Sequence, residues 1–424
     1  MSKYRIETNC VQAGYQPQNG EPRVLPIAQS TTYQYDSIEH VGKLFDLTAE
    51  GHMYTRISNP TVAAVEAKIA ALEGGVGALC TSSGQAANLI ALLNIVKCGD
   101  HVVSGAAIYG GTTNLFSVTL KRFGIDVSFV ASDADEAEIE AAMRPNTKAV
   151  FGETLANPAL RVFDIERFAA VAHRHGVPLI VDNTFPTPIL CRPFEFGADI
   201  VTHSTTKYMD GHAVQVGGVI VDSGKFDFTN GNFPEFTEPD ESYHGVVYTR
   251  DFGSAAYITK ARVQLMRDLG STPSPQNAFY LNLGLETLHL RMARHSENAL
   301  AVAQFLEADA RVASVSYPGL ASSPDHALAK KYFPAGASGV VSFCLKGGRE
   351  AAVRFMDHLK LAKIVVHVAD ARTSVLHPAS TTHRQLTDEQ LAAAGVDAGL
   401  IRMSVGIENV EDILEDIRSA LAAV

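Results

Sequence analysis

The feature that most constrains this chain is an alternation between residues 76 and 203. Short, largely apolar runs recur there, separated by stretches with helical spacing. The runs are 76–80 (VGALC), 101–104, 125–131, 149–154, 177–182 (VPLIVD) and 198–203 (ADIVTH), with helical stretches such as 86–97 and 164–175 between them. A strand with one wet face alternates apolar and polar residues, whereas a continuously apolar run is covered on both faces. The pattern predicts an α/β fold: a mostly parallel sheet covered by helices, with its ligand crevice at the carboxyl ends of the strands.

Around this centre the chain changes character. The first 60 residues are polar, interrupted by proline and without period, and predict an arm that docks on another surface. Residues 61–73 predict a helix with Val62, Val65, Ile69 and Leu72 on one face and Gly74-Gly75 at its end. Residues 225–275 are rich in loop formers, and one long helix is predicted to run on to about residue 307. Strands at 337–346, 363–368 and 400–406 then alternate with helices at 349–359 and 410–423, as in a smaller α/β domain. The expected organisation is an arm over 1–60, a large domain over 61–270 and a small domain over 271–424.

The 424 residues, 46% apolar and 19% charged, are enough to bury a large core. A net charge of −11 excludes a nucleic-acid partner, because phosphate binding needs a basic face. No apolar run approaches the roughly 20 residues of a membrane span, and the N-terminal "MSKYRIETNC" lacks the apolar core of a signal peptide. The five cysteines (Cys10, Cys80, Cys98, Cys191, Cys344) are odd in number and form no C-x-x-C pair. They predict reduced thiols in a cytoplasmic protein, not disulfides or a zinc site.

Three features fall where strands of the predicted sheet end. "TSSGQAAN" (81–88) sets small residues at a helix start, where free backbone N–H groups hold a phosphate; the plainer reading is a helix-capping loop. Asp182 ends the run "LIVD" and is costly to bury without a partner, so it either turns the chain or pairs with a cationic atom. Lys207, in "HSTTKY", stands at the same sheet edge with Ser204 and Thr206 beside it. An amine there, partly deprotonated by its surroundings, forms a Schiff base with an aldehyde. Anion site, buried acid and lysine together answer the phosphate, ring nitrogen and aldehyde of pyridoxal 5′-phosphate.

These residues sit in motifs that resemble the Cys/Met-metabolism family of pyridoxal-phosphate enzymes, of fold-type I. The motifs are "YTRISNPT" (54–61), "ALEGG" (71–75), "SSGQAA" (82–87), "YGGT" (109–112), "DNTF" (182–185), "HSTTKY" (203–208), "GLETLHLRM" (284–292), "HPASTTH" (377–383) and "IRMSVGIE" (401–408). The long arm, "YGGTTNLF", "SYHG" and "HPASTTHRQL" are similar to its O-acetylhomoserine sulfhydrylase (aminocarboxypropyltransferase) branch. Gly111 stands where methionine γ-lyases usually carry cysteine. The resemblance implies a seven-stranded, mostly parallel sheet with a smaller C-terminal domain, and a transferase acting on an activated homoserine ester with sulfide or a small thiol. A γ-lyase, a cystathionine γ-synthase-like activity and a non-catalytic relic of the fold are the alternatives.

Residue by residue, the resemblance implies that Lys207 carries the cofactor and moves protons, that Asp182 pairs with the ring nitrogen and that Tyr109 stacks on the ring. Ser83, Gly84, Gln85, Ser204 and Thr206 would face the phosphate, with Thr184 and Asn157 as further cofactor contacts. Arg402 would clamp the substrate carboxylate, helped by Thr373 and Asn157. Tyr54 and Arg56 would arrive from a neighbouring subunit, Tyr54 also near substrate, in a homotetramer built from dimers that share their sites. Asp210, Ala213, Val214, His367 and Ala369 depart from the commonest family pattern, and if they line the entrance they would alter the thiol or leaving-group preference. His377 and His383 are six residues apart with no third ligand and do not make a metal site. His173 and His175 do not share a helical face and are expected at a solvated surface.

Overall fold

The structure, a computed structural model, describes residues 4–381, 384 and 397–424. The arm carries two helices, α1 (Ile6–Gln12) and α2 (Ile38–Phe45). α1 packs on its own chain, burying Cys10 against α3 (Pro60–Glu73), whereas α2 turns Ile38 outward at 87% exposure. α3 starts where Asn59 accepts from the N–H of Thr61 and Val62 with Pro60 in the first turn, and it ends at Gly74, whose φ of 80° only glycine holds without strain. Next along the chain comes α4 (Gly84–Leu93), capped by Ser83.

Seven strands form the principal sheet: β1 (Gly77–Thr81), β2 (His101–Gly105), β3 (Asp126–Val130), β4 (Thr147–Glu153), β5 (Leu179–Asp182), β6 (Ile200–His203) and β7 (Gly218–Asp222). Their order is β1-β7-β6-β5-β4-β2-β3. The first six coincide with the expected runs to within about two residues. β7 is antiparallel to both neighbours and follows β6 without an intervening helix, so the alternation that located the others does not mark it. Because β7 reverses direction between them, β1 runs parallel to β6. Their carboxyl ends, and that of β5, therefore lie on one edge. Val102, Val103, Ile180, Val181, Ile200, Val201 and Ile220 are completely buried; each such side chain contributes about 1.5–3 kcal/mol of hydrophobic stabilisation.

The predicted long helix is two helices, α5 (Pro275–Glu286) and α6 (Leu288–Ala308), broken at Thr287. The break has a visible cause. The buried Arg291 guanidinium donates to the carbonyl of Gly284 at 2.6 Å, to that of Tyr208 at 2.7 Å, and from Nε to Thr287 Oγ1 at 3.2 Å. A carbonyl of α5 is thus satisfied by a side chain that also grips the residue after Lys207. A second, five-stranded sheet comprises β8 (Val312–Ser316), β9 (Val340–Leu345), β10 (Lys363–Ile364), β11 (Ser374–Leu376) and β12 (Leu400–Ser404), in the order β10-β11-β12-β9-β8. The strand expected over 363–368 is only two residues long, because the chain leaves the sheet towards the site. Tyr208 bridges the two sheets: its hydroxyl accepts from the N–H of Gly339, just before β9, at 3.1 Å.

Candidate active site

The Lys207 turn leaves β6 at the shared edge. Lys207 Nζ donates to no protein acceptor among the described residues. Burial and the positive charge of Arg402 lower its pKa to about 8. Arg402, on β12, is only 7% exposed, with no carboxylate partner among the described residues. Its Nη1 donates to Asn157 Oδ1 at 3.2 Å, its Nη2 to the Val366 carbonyl at 3.4 Å, and its Nε is buried without a partner. Burial lowers even this guanidinium to about 10. An uncompensated buried cation is costly, so the site suits an anion.

Asp182 ends β5 and lies opposite Thr202 of β6 and Glu153 of β4. Thr184 donates to its Oδ1 from N–H at 3.1 Å and from Oγ1 at 2.5 Å, and Asn88 donates to its Oδ2 at 3.3 Å. Burial raises its pKa against these donors. Glu153 is raised well above the carboxylate range by burial and by the Asp182 charge, and it accepts the Tyr109 N–H at 2.5 Å. Of this pair Asp182 has the better set of donors, so the negative charge resides on it.

Thr184 Oγ1 also accepts from the Ser204 N–H at 2.8 Å, which ties Asp182 to the lysine turn. Across the same gap, a Cβ on Gly84 would lie 2.7 Å from that of Ser204, so only glycine lets the start of α4 approach this closely. Ser83 Oγ accepts the Ala86 N–H at 3.1 Å, while the N–H groups of Gly84 and Gln85 have no protein acceptor among the described residues. The Thr206 hydroxyl is paired with the backbone of Gly217 at 3.1–3.2 Å. The Tyr109 ring packs over Gly111, where a Cβ would come within 2.4 Å of it. Phosphate cradle, buried carboxylate, amine and ring platform converge on one edge, and the residues present fit pyridoxal phosphate.

Other expected residues fall elsewhere. Thr373 gives its N–H and hydroxyl to Glu408 at 2.6 and 2.8 Å and accepts from Gly406 N–H, so it holds the loop beside Arg402 and has no donor left for a substrate carboxylate. Tyr54 is 44% exposed, and Arg56 stacks on its ring and donates to the Arg267 carbonyl. Neither bonds to the Lys207 cluster of its own chain. Asp210 is fully buried and turns its carboxylate to the N–H groups of His212 and Val214, so it shapes the turn and not the entrance. Ala213 and Ala369 hold φ of 57° and 70°, a backbone that glycine adopts more readily. His173 is not simply solvated: it bonds Asp199, which in turn accepts the N–H of Leu179 on β5. Among the described residues no group of His, Cys, Asp and Glu could hold a metal; His383 lies outside them.

A profile of the family described as Cys/Met metabolism PLP-dependent enzyme matches residues 7–422. The chain belongs to that family. Within this PLP-dependent family it is 45% identical to an O-acetyl-L-homoserine sulfhydrylase of Leptospira meyeri, over 99% of this chain and 97% of the relative. It is 49% identical to a homocysteine synthase of Schizosaccharomyces pombe, over 98% of both chains. A Campylobacter jejuni chain, crystallised as a candidate O-acetylhomoserine (thiol)-lyase and carrying N′-pyridoxyl-lysine-5′-monophosphate, superposes with a TM-score of 0.95 at 37% identity. That match covers 99% of this family member and all of the other chain.

Two residues beside Asp182 escape the sequence reading. Asn88 lies within "TSSGQAAN", one turn into α4 on the face of Gly84, so the helical period pointed to it. Glu153 closes an apolar run as Asp182 does, but a second acid at the same edge has no partner visible in sequence. No helix among the described residues is long and apolar enough to cross a membrane.

Proposed function

We propose that this enzyme exchanges the γ-acetoxy group of O-acetyl-L-homoserine for sulfide or a small thiol, giving homocysteine or methionine and acetate. The observation that carries the reading is Arg402, a buried guanidinium with no carboxylate partner among the described residues, whose charge acts on the Lys207 amine. It suits an amino-acid carboxylate delivered within reach of Lys207. The names of the full-length relatives support the choice of ester.

When bound, pyridoxal phosphate supplies an aldehyde for the lysine and a ring that draws electrons from the substrate α-carbon. Lys207 Nζ holds the cofactor, then takes the proton from the substrate α-carbon and returns one. Asp182 keeps a proton on the ring nitrogen, with Thr184 and Asn88 fixing the carboxylate. Tyr109 orients the ring from one face. The N–H groups of Gly84 and Gln85 and the hydroxyls of Ser204 and Thr206 grip the phosphate, for which Thr206 must release Gly217. Arg402 and Asn157 hold the substrate carboxylate. Tyr54 and Arg56 complete the site of a neighbouring subunit, within a homotetramer built from dimers, and the exposed arm helix α2 supports that assembly. The arm (1–60), large domain (61–270) and small domain (271–424) follow this division of labour, and the five free thiols suit the cytoplasm. Gly111 leaves no space for the side chain of the γ-lyase pattern under Tyr109, which favours replacement over elimination.

The deciding experiment incubates the enzyme with O-acetylhomoserine and sulfide. Homocysteine and acetate formed in equal amounts are expected; α-keto acid and ammonia as the main products would establish a lyase instead.

A further inference from the structure

The residues assigned so far leave one titratable group at the site without a task. The imidazole of His367, 24% exposed, turns inward, and its Nε2 is buried without a hydrogen-bond partner. It lines a cavity of about 190 Å³ together with Thr206, Ala213, Val214, Gln215 and Val216. Thr206 adjoins Lys207 in the chain, and the Lys207 charge acts on His367. The rim is apolar: Val214 and Val216 are 58% and 57% exposed. Gln215 is turned away, donating to the Thr205 carbonyl at 3.0 Å. Among the described residues, His367 is the only titratable one that lines the cavity.

The charges facing this imidazole are Lys207, Arg402 and Arg372, opposed by Asp370, whose Oδ2 stands 4.0 Å from Nε2 and too far to bond it. Burial and the three cations lower its pKa, so the ring is neutral at pH 7 and can accept a proton. It is also held in place: the carbonyl of the preceding residue, Val366, accepts from Arg402.

A proton inventory shows why such a group is useful. Lys207 handles the proton of the substrate carbon. A neutral thiol attacking the γ-carbon brings a proton of its own, and a lysine already engaged is poorly placed to take it.

We propose that His367 and the valine-rimmed cavity form the subsite for the incoming sulfur nucleophile, admitting a small neutral thiol and taking its proton on the exposed side of the imidazole. The inference rests on the γ-replacement reading above. Acetate leaves first, with the electrons of the Cγ–O bond, once Lys207 has taken protons from the substrate carbons. In the step that follows, the S–H bond breaks with its proton passing to the imidazole and its electron pair staying on sulfur. Sulfur then bonds Cγ of the double bond left behind, and the electron pair of that bond takes a proton back at Cβ. The imidazolium then returns its proton to water, so the net products are the thioether amino acid, acetate and one proton.

The test uses the holoenzyme with O-acetylhomoserine and methanethiol, and measures acetate, methionine and α-keto acid together. In His367→Asn the methionine formed per acetate released falls at least about tenfold, general-base contributions being on the order of 10²–10⁴, and keto acid makes up the difference. Added imidazole restores the ratio in His367→Ala. An unchanged ratio in both variants, or no recovery with imidazole, overturns the proposal. The histidine Cε1–H NMR resonance lost in His367→Asn should also shift when methanethiol is added to wild-type holoenzyme, and its failure to shift overturns the subsite. If the wild type releases no acetate from O-acetylhomoserine, the parent reading fails, and the resonance still decides whether thiol reaches His367.

Discussion

At the scale of single residues, the site is governed by two buried cations that disfavour each other. Lys207 has its pKa lowered to about 8 by burial and by Arg402. The sign follows directly: the amine is protonated below that pH and neutral above it, and only the neutral amine attacks an aldehyde. Capture of pyridoxal phosphate by cofactor-free protein should accelerate roughly tenfold per pH unit up to about pH 7 and level off above about 8. In Arg402→Met the plateau moves to higher pH, because removing a neighbouring cation lets the lysine hold its proton longer. Stopped-flow absorbance measures both, and a plateau that stays put in the variant refutes the coupling. Asp182 stood out in the sequence as an acid ending an apolar run and Lys207 as an amine among hydroxyls just beyond one, whereas Arg402 was marked only by the family resemblance. Asn88 shares a helical face with Gly84, but its bond to Asp182, like the pairing of Glu153 with that residue, joins distant segments and leaves no local trace.

Among the elements, turns and caps decide which side chains face the site. Asp210 looked like a candidate for the substrate channel, yet its carboxylate caps the turn after Lys207 by bonding the N–H groups of His212 and Val214 at 3.2 and 3.1 Å. Asp210→Gly should therefore lower stability by about 1–3 kcal/mol, the cost of losing hydrogen bonds to a charged group, and leave the ranking of thiols unchanged. Urea denaturation and competition between sulfide and methanethiol check the two halves; a changed ranking would return Asp210 to the entrance. The missed strand β7 and the helix break at Thr287 share a cause. Periodicity reports how one segment meets its own surroundings, whereas an antiparallel return strand and a side chain inserted from the next helical turn depend on distant partners.

For the whole molecule, the arm raises the question of which chain completes which site. Tyr54 and Arg56 bond near Arg267 of their own chain and not to their own lysine turn. If the sites are shared, Lys207→Ala and Arg56→Ala subunits, each inactive alone, should regain roughly a quarter of wild-type activity when co-expressed, since half of random dimers are mixed and each of those carries one intact site. No recovery would place the arm in its own subunit's site. The sequence by itself determined the layered α/β plan, the strands that build the shared edge and the ionisable residues that reach it, because burial imposes a period and a composition on each segment. The tertiary structure alone decided that Asp182 and Glu153 are neighbours, that Thr184 joins Asp182 to the lysine turn, and that Asp210 faces backbone while His367 lines a cavity with Thr206. Those outcomes turn on distances of a few ångströms between segments far apart in the chain, a range over which hydrogen bonds are lost and electrostatic energies weaken.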